Sequence, residues 1–315
     1  MVGRPVRLRM ARPDVAVAVV LLVVYSVTLA RGVTYWDAGE FLAAIHSLGI
    51  PHPPGTPLYV LLAHVWSMLA APALGFTIAV NAFSALCTAA AVGIVANIFW
   101  RATNDGVAAM AAALTAGLMS TIWLNATETE VYACALLASF VILWCARRYA
   151  LTMEHRWLIL ALYTCGLSWS LHLTALLTVP AAFYALAFAV EKPRARDIMT
   201  GLLVAVLGGT AVLFMLLRAR HDPAINQGNP ATVSALIDAV QRHQYDVAPL
   251  WPRRAPLWLQ FGNVFEYADW QIALGLGPDP GPTVGRTTFT IAFALLAVFG
   301  SLRHRAIDRT SWRTW

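Results

Sequence analysis

Charged residues are scarce in this chain of 315 residues: they make up 12% of it, against 59% hydrophobic residues. Soluble domains carry about a quarter charged residues, so the composition excludes an ordinary soluble domain. The mean hydropathy of +0.64 agrees with that exclusion. We therefore expect an all-α integral membrane protein, a polytopic helical bundle that forms a single membrane domain over residues 1–315.

Paired cysteines and the common motifs of soluble enzymes are also missing. None of the four cysteines forms a CxxC pair and all lie in apolar segments, which argues against a disulfide framework and a zinc site. P-loop, GxSxG and HExxH motifs are absent. A basic stripe with interleaved aromatic residues is absent too, so nucleic acid is not expected as a partner.

Long apolar runs dominate what is present. Eight runs are long enough, or nearly long enough, to cross a bilayer; they are Val15–Ala30, Phe76–Trp100, Val107–Leu124, Val131–Tyr149, Trp157–Leu171, Thr174–Val190, Ile198–Leu217 and Thr287–Leu302. A further run, Leu58–Ala70, has only 13 residues and is too short to span comfortably.

Basic residues decide how these runs are oriented, because short cytoplasmic connectors are enriched in Lys and Arg. The N-terminus carries four arginines, and no convincing signal-peptide cleavage site follows the first run, so we expect an uncleaved first helix with a cytoplasmic N-terminus. The other short basic connectors then fall inside only if Leu58–Ala70 does not cross. The sequence thus predicts eight spans, an interfacial or re-entrant helix at Leu58–Ala70, and a cytoplasmic C-terminus. The localisation is multi-pass in a membrane, which is the plasma (inner) membrane if the protein is bacterial.

This topology gathers four polar elements on the outer face. They are the first outer loop, at about residues 31–57, the Asn125–Tyr132 connector, the turn at His172 and a long loop at about residues 218–286. The last of these, at about 70 residues, is too long for a plain linker and is expected to be functional or partly folded.

Asp37 and Glu40 stand out in the first outer loop, since ionisable groups beside a membrane span are candidates for a functional site. Their spacing of three places them on one helix face. One interpretation is a general base that deprotonates an acceptor hydroxyl. The other is a capping box that only starts a helix.

The remaining polar residues also allow two readings each. His52 lies in a proline-rich, rigid turn and either binds a phosphate or caps a helix. Glu128 and Glu130 precede an apolar helix, where acidic residues also favour the helix dipole. His172 ends an apolar helix at the outer turn, where a lone histidine is either structural or functional. Arg218 either snorkels to the surface or pairs with a lipid phosphate.

The sequence WDAGEF at residues 36–41, followed by GIPHPPGTPLY at residues 49–59, resembles the opening of the domain of unknown function 2723 family. That family includes the eukaryotic transmembrane O-mannosyltransferase that acts on plexin-type receptor domains. The resemblance extends from about residue 15 to about residue 271. Its further motifs agree in order: Trp123 with Asn125–Tyr132, Gly166 with His172, and Arg218 with Pro223, Asn226, Gly228–Pro230 and Tyr245.

The resemblance implies a GT-C-type membrane glycosyltransferase that moves a mannose-like sugar from a polyprenyl-phosphate donor to a protein or glycan acceptor on the outer face, with membrane lipid around it. It makes Asp37 the preferred general base and Glu40 the second choice. The residues it suggests for donor or phosphate binding are His52, Arg218 and His172. The residues it suggests for acceptor or supporting contacts are Glu128, Glu130, Tyr132 and Asn229. No cofactor is firmly expected; a divalent cation is compatible with the two carboxylates, but two ligands are too few to assign a metal site.

One departure from the family pattern keeps other functions open. GT-C enzymes are generally longer, whereas this chain stops soon after its last apolar run. We therefore expect a minimal or C-terminally truncated member. The alternatives to an active enzyme are a membrane protein that binds or transports a lipid headgroup, and an inactive family member.

Overall fold

The computed structural model describes residues 12–187, 192–245, 251–273, 281–307 and 309–314. Helices dominate these residues, in the order α1 (Pro13–Thr28), α2 (Ala38–Ser47), α3 (Pro57–Leu74), α4 (Phe76–Thr103), α5 (Gly106–Gly117), α6 (Ser120–Thr127), α7 (Val131–Thr152), α8 (His155–Leu171), α9 (Val179–Ala187), α10 (Ala195–Gly209), α11 (Leu213–Ala219), α12 (Val233–Gln241), α13 (Leu257–Ala273), α14 (Val284–Ile307) and α15 (Arg309–Thr314). Two 3₁₀ segments, Leu173–Thr178 and Thr210–Val212, join helices. An isolated parallel bridge pairs Ile50 with Asn226. The predicted all-α helical bundle is confirmed.

Two antiparallel helices define the ends of the bundle. Just after α1, the Ala30 backbone carbonyl accepts from Asn81 near the start of α4 at 2.8 Å, and the Ala30 amide donates to Thr127 at 2.9 Å. At the start of α1, Asp14 accepts from Asn97 near the end of α4 at 3.0 Å. We call the first of these the polar end and the second the opposite end.

Helix α3 is longer than the predicted run Leu58–Ala70. It begins at Pro57, since a proline is preorganised for the first helical turn, and continues for 18 residues until Gly75, whose φ is 80°. By length and composition it could cross a membrane. However, the chain leaves α1 and enters α4 at the same, polar end, so the α2–α3 segment makes no net crossing of the bundle.

The predicted span Val107–Leu124 is not one straight helix. It is broken between α5 and α6, and the two pieces meet at 69°. The tyrosine hydroxyl of Tyr25 donates to the Gly117 carbonyl at 2.6 Å, which supplies a partner for backbone left open at the break. The short helix α6 therefore turns aside at the polar end.

The predicted hairpin around Ser170–Thr174 is present. Helix α8 ends at Leu171, and the chain then turns back along α7, where Ser139 donates to the Ala175 carbonyl at 2.9 Å. Further along, Ala182 of α9 packs against Ala146. The predicted span Thr174–Val190 ends in residues 188–190, which lie outside the described residues.

Helix α10 runs parallel to α8 in very close contact. A β-carbon on Gly166 would overlap the backbone of Ala205, and one on Gly208 would lie 2.9 Å from the Tyr163 carbonyl oxygen. Small residues at such interfaces let helix backbones approach closely in membranes. The pair carries the chain back to the polar end.

The number of spans stays a prediction. Five of the described helices are long and apolar enough to cross, or six if the bent pair α5–α6 counts as one span. Helix α1 and the segment Leu173–Ala187 are shorter apolar helices. The chain reversals are compatible with eight passes, but which end faces the cytoplasm also stays a prediction, and Arg4, Arg7 and Arg9 lie outside the described residues.

The long loop predicted after Arg218 is partly helical, as expected, with α12 and α13 inside it. Helix α13 packs beside the start of α6, where Gln271 donates to the Thr121 hydroxyl at 2.7 Å and Tyr267 lies 2.9 Å from the same hydroxyl. The loop thus returns to the polar end, where α13 covers the surface next to the break between α5 and α6.

Candidate active site

Asp37 and Glu40 begin α2, but they do not form the capping box. Asp37 occupies the N-cap position without a side-chain hydrogen bond to the helix. The Glu40 carboxylate turns away to His52, whose backbone amide donates to Oε1 at 2.8 Å and whose Nδ1 lies 2.7 Å from Oε2. The capping interpretation of this pair is therefore wrong, since both carboxylates face the proline-rich turn.

His52 lies between the two acids. Because an ionised carboxylate can only accept, the proton shared with Glu40 lies on Nδ1, and Nε2 faces Asp37. Nε2 lies 3.9 Å from Asp37 Oδ2. The ligand-type atoms of Asp37, Glu40 and His52 all lie within 4.8 Å of one another, a spacing that could hold a metal ion.

The two acids differ in access to solvent. The Asp37 side chain is 52% exposed, whereas that of Glu40 is 25% exposed and has both oxygens engaged by His52. A general base must be reachable by the acceptor hydroxyl. The geometry therefore favours Asp37 for that task and gives Glu40 the task of holding His52.

The turn that carries His52 is supported by contacts with residues that are distant in sequence. Gly55 has a φ of 84°, which favours glycine, and a β-carbon there would lie 2.6 Å from Met215 Sδ. The Ile50 amide donates to the Ile225 carbonyl at 2.7 Å, and the Gln227 amide donates to the Ile50 carbonyl at 2.9 Å. These contacts fix the position of the His52 ring through backbone far away in sequence.

Glu130 is the most buried acid of the site. It is 8% exposed, and its Oε2 atom is buried without a hydrogen-bond partner. Burial, with the nearby charges of Asp37 and Glu128, raises the pKa of Glu130 to about 7. Glu130 stands at the N-cap of α7 without capping it, and Glu128 ends α6. The Val131 amide at the start of α7 acts on the Glu130 carboxylate as a hydrogen-bond donor, so the helix-start interpretation accounts for part of the side chain, and Oε2 is left without a partner.

His172 and Tyr132 meet beside these acids, with ring centroids 5.0 Å apart in an edge-on arrangement. The His172 Nδ1 accepts from the Thr174 amide at 3.3 Å and lies 2.7 Å from the Thr174 hydroxyl, so part of its role is structural. Burial, with the positive charges of Arg242 and His52, lowers the pKa of His172.

A cavity of about 630 Å³ opens next to Tyr132. It runs between α4, α6 and α7 and the 3₁₀ segment Leu173–Thr178, with Tyr267 of α13 on its wall. Its lining alternates hydroxyls such as Thr121 and Ser139 with apolar groups such as Phe140 and Leu177. The cavity therefore connects the polar end with the apolar interior.

Arg218 and Asn229 belong to the part of the chain that supports the first outer loop. Arg218 donates from Nε to the Leu48 carbonyl at 2.9 Å and from a terminal nitrogen to the Ser47 carbonyl at 3.0 Å. A cation at the last carbonyls of a helix is stabilising, so Arg218 holds the end of α2. Asn229 is exposed in a turn and accepts from Asn226 at 3.1 Å. Neither side chain is brought to the acids, and their predicted ligand contacts stay predictions.

Sequence reasoning missed Arg242, which follows α12 in the long loop. Its guanidinium lies 4.9 Å from the ring centroid of Tyr245, and its charge acts on both His172 and Tyr132. The placement of the long loop at the polar end was the available signal, but no pattern singled out this arginine within it.

Comparison with known proteins gives a consistent family. A profile of the protein O-mannosyl-transferase TMEM260 N-terminal domain matches residues 37–196. Protein O-mannosyl-transferase TMEM260 of Mus musculus is 46% identical over 52 residues, which are 16% of this chain and 7% of the mouse protein. The protein of the same name from Dictyostelium discoideum is 24% identical over 256 residues, which are 73% of this chain and 30% of that protein.

The chain spans less than a third of the length of these curated relatives. No solved structure matches it. The matched profile begins at Asp37 and includes Asp37, Glu40, His52, Glu128, Glu130 and His172.

Proposed function

Because the chain belongs to the family of the TMEM260 N-terminal domain of protein O-mannosyl-transferases, we propose that it is a membrane glycosyltransferase that moves a mannose-like sugar from a polyprenyl-phosphate donor to a hydroxyl of a protein or glycan acceptor. The observation that carries the proposal is the cluster of Asp37, Glu40 and His52 at the polar end, with the buried carboxyl of Glu130 near enough for Asp37 to raise its pKa. The family relation supports the reaction class, and this geometry supports the roles of the residues.

Asp37 is the proposed general base. As the acceptor oxygen attacks the anomeric carbon of the sugar, Asp37 takes the hydroxyl proton. The bond between the anomeric carbon and the phosphate oxygen breaks, and the lipid phosphate leaves with the bonding electron pair. General-base catalysis of this kind contributes a rate factor of roughly 10² to 10⁴. Its open position and its lack of a close hydrogen-bond partner support Asp37 over Glu40.

The leaving phosphate requires positive charge or hydrogen-bond donors. The proposed sources are His172, whose ring meets that of Tyr132, and Arg242, whose charge acts on both of these residues. His52 donates toward Glu40 and contributes mainly by orientation. Two guanidinium nitrogens of Arg218 already donate to carbonyls at the end of α2. Its proposed contribution is therefore to position that helix.

The cavity beside Tyr132 is the proposed site of the first isoprene units of the donor. Its hydroxyls near the polar end suit the sugar phosphate, and Phe140 and Leu177 suit the hydrocarbon. The acceptor then approaches Asp37 from the outer, periplasmic or luminal, side of the membrane.

A transfer assay tests the function directly. Purified protein in detergent is incubated with polyprenyl-phosphate mannose carrying a radiolabel and with a peptide or membrane-extract acceptor. Wild type and Asp238→Asn, which alters an exposed carboxylate of α12 that pairs with His243, are expected to transfer label. Asp37→Asn is expected to lose transfer.

The outcomes separate the alternatives. Transfer that survives Asp37→Asn would remove Asp37 as the base. Donor binding without transfer to any acceptor would favour a lipid-headgroup-binding or transport protein, and neither binding nor transfer would favour an inactive member of the family. Topology is tested by placing a cysteine at position 128; labelling of that cysteine only from the cytoplasmic side would contradict an outer-face site.

A further inference from the structure

A groove of about 420 Å³ opens between the start of α1 and the end of α4, at the opposite end of the bundle. Small residues line it where the two helices cross, namely Ala18 of α1 with Ala90 and Gly93 of α4. A β-carbon on Gly93 would lie 3.0 Å from the Asp14 carbonyl oxygen. The helix backbones therefore approach closely, and the groove runs along the crossing.

The sides of the groove are apolar for most of its length. Val15 and Val19 come from one face of α1, and Leu86 and Ile94 come from α4. Val15 and Val19 are 47% and 55% exposed, so the groove opens sideways, where a membrane protein meets lipid. From Arg101 to Leu86, α4 rises by about 22 Å at about 1.5 Å per residue. This length exceeds the half-thickness of about 15 Å of a bilayer's hydrocarbon core, so it accommodates an acyl chain from one leaflet.

One end of the groove carries a chain of polar side chains, and we call it the arginine end of the groove. Arg12 donates to Asp14 Oδ2 at 3.2 Å, and Asn97 donates to the same oxygen at 3.0 Å. Asn97 Oδ1 accepts from Arg101 Nε at 2.9 Å and from Trp144 Nε1 at 3.3 Å. These bonds fix both guanidinium groups but occupy a single nitrogen of each. Within the described part of the chain, their remaining nitrogens have no hydrogen-bond partner.

The net charge of the arginine end suits a phosphodiester. Arg12 and Arg101 are positive and Asp14 is negative, and no other ionisable residue among those described lines the groove. The sum is one positive charge, which a phosphodiester group of one negative charge balances while it accepts hydrogen bonds from the free guanidinium nitrogens. Asp14 Oδ2 is already shared by Arg12 and Asn97, and Oδ1 is buried. The carboxylate is therefore closed to the ammonium group of a zwitterionic lipid.

Aromatic and basic residues beside the groove mark the level of lipid headgroups. Trp144 packs edge-on against Trp157, with ring centroids 4.9 Å apart. The guanidinium carbons of Arg148 and Arg156 lie 5.4 Å and 5.0 Å from the Trp157 ring centroid. Tryptophan is enriched at membrane–water interfaces, and basic pockets between membrane helices bind the headgroups of anionic lipids. The arginine end of the groove thus lies where a lipid phosphate is expected.

We propose that this groove binds one anionic phospholipid, such as phosphatidylglycerol, with its phosphate on Arg12 and Arg101 and one acyl chain between α1 and α4. The other acyl chain stays in the bilayer. The site lies at the opposite end of the bundle from Asp37, so it is independent of the proposed function. Because the lipid contacts both α1 and α4 only in the folded protein, its binding stabilises the native bundle.

Native mass spectrometry of the full chain in detergent tests the site. The probes are phosphatidylglycerol, phosphatidylethanolamine and phosphatidylcholine with identical acyl chains. One phosphatidylglycerol per chain is expected to bind saturably, at least about tenfold more tightly than either zwitterionic lipid, and to raise the melting temperature. Glycerophosphoglycerol, the same headgroup without acyl chains, is not expected to compete, because it leaves the apolar part of the groove unfilled.

Two substitutions test the two parts of the groove separately. Arg101→Gln removes a charge at the arginine end, and Ala90→Phe fills the apolar part; each is expected to weaken phosphatidylglycerol binding at least about tenfold. The matched controls are Arg156→Gln, which removes an arginine that bonds to Glu154 outside the groove, and Ala111→Phe, which adds a ring at an exposed position of α5. Both controls are expected to bind phosphatidylglycerol as wild type does.

Three results would overturn the proposal. Equal affinity of wild type for the three lipids would mean ordinary contact between lipid and protein surface. Competition by glycerophosphoglycerol would mean that the arginines bind a phosphodiester without a lipid. Unchanged affinity in both Arg101→Gln and Ala90→Phe would place the lipid elsewhere. The first two results come from wild type, so they stand even if a variant fails to fold, and none of the three depends on sugar transfer.

Discussion

Both ends of the bundle bury carboxylates, but the most buried acid of the polar end and that of the opposite end have different neighbours. At the opposite end, Asp197 is 4% exposed and lies 2.8 Å from His155 Nδ1 and 3.9 Å from Arg196 Nε. At the polar end, Glu130 is 8% exposed and its nearest charges are other acids. Paired buried charges are usual in stable structures, whereas uncompensated ones cluster at functional sites.

Asp14 repeats the pattern of the opposite end. It lies 3.2 Å from an Arg12 nitrogen and accepts from Asn97 at 3.0 Å, and these contacts tie α1 to α4. The carboxylates of the opposite end therefore connect helices. Those of the polar end are held by backbone and by His52, and they converge on space that a ligand can enter.

The strongest test of this difference makes the same substitution, aspartate to asparagine, at each end of the bundle. Asp37→Asn is expected to lower kcat roughly 10²-fold to 10⁴-fold, as loss of a general base does, with little change in melting temperature because the side chain is half exposed. Asp197→Asn is expected to lower the melting temperature and to leave turnover per folded molecule unchanged. The contrast fails if the two variants lose activity equally after correction for folded fraction.

Removing the partner at the opposite end should cost stability. His155→Ala leaves Asp197 buried with only the more distant Arg196; because the His155 side chain is 42% exposed, the free energy of unfolding is expected to fall by about 1 to 2 kcal/mol. Denaturation in mixed micelles measures it. His243→Ala is the control, because its pair with Asp238 is exposed on both sides and should cost less than about 0.5 kcal/mol. Equal losses in the two variants would refute the distinction.

A comparable effect on stability is expected at the helix pair α8 and α10, which runs between the two ends of the bundle. Gly166→Ala places a methyl group on the backbone of Ala205, and such overpacking is expected to cost about 2 kcal/mol. Gly262→Ala in α13 meets no atom within 4 Å, so it should be neutral or stabilise by up to about 1 kcal/mol. Both are measured by the same denaturation experiment; a neutral Gly166→Ala would show that α8 and α10 are less tightly packed.

The smallest expected effect has the opposite sign. Glu130→Gln should leave the free energy of unfolding unchanged or raise it by up to about 1 kcal/mol, because it removes an uncompensated carboxylate at no loss of a hydrogen bond on Oε2. Transfer activity should nevertheless fall. A clear loss of stability in the variant would mean that Glu130 serves the fold, as Asp197 does.

The positions of the basic connectors between the apolar runs predicted which loops lie at the same end. The structure places all four polar elements together. This worked because apolar runs and basic connectors are local signals. The break between α5 and α6 escaped prediction, since residues 107–124 read as one continuous apolar run and the 69° bend depends on packing against Tyr25. The full length of α3 was missed because its last turn contains Pro72, which usually ends a helix.

Within the site, sequence ranked Asp37 first but could not assign Glu40. The bond between Glu40 and His52 joins residues 12 apart, the first in α2 and the second in the turn that follows it, and its geometry depends on the proline-rich conformation of that turn and on the residues that support it. Arg242 was missed for a related reason: a residue in a long irregular loop has no periodic position from which its neighbours can be inferred.

The support behind the first loop also sets an order of events during synthesis. Arg218, which bonds to the end of α2, is synthesised late because it lies 170 residues beyond Leu48. Ile225 and Gln227 follow it. Helices α3 to α10 have therefore already left the ribosome before the loop carrying Asp37 and His52 can take its final position. A nascent chain stopped before Arg218 would contain every acid of the site and yet lack the means to arrange them.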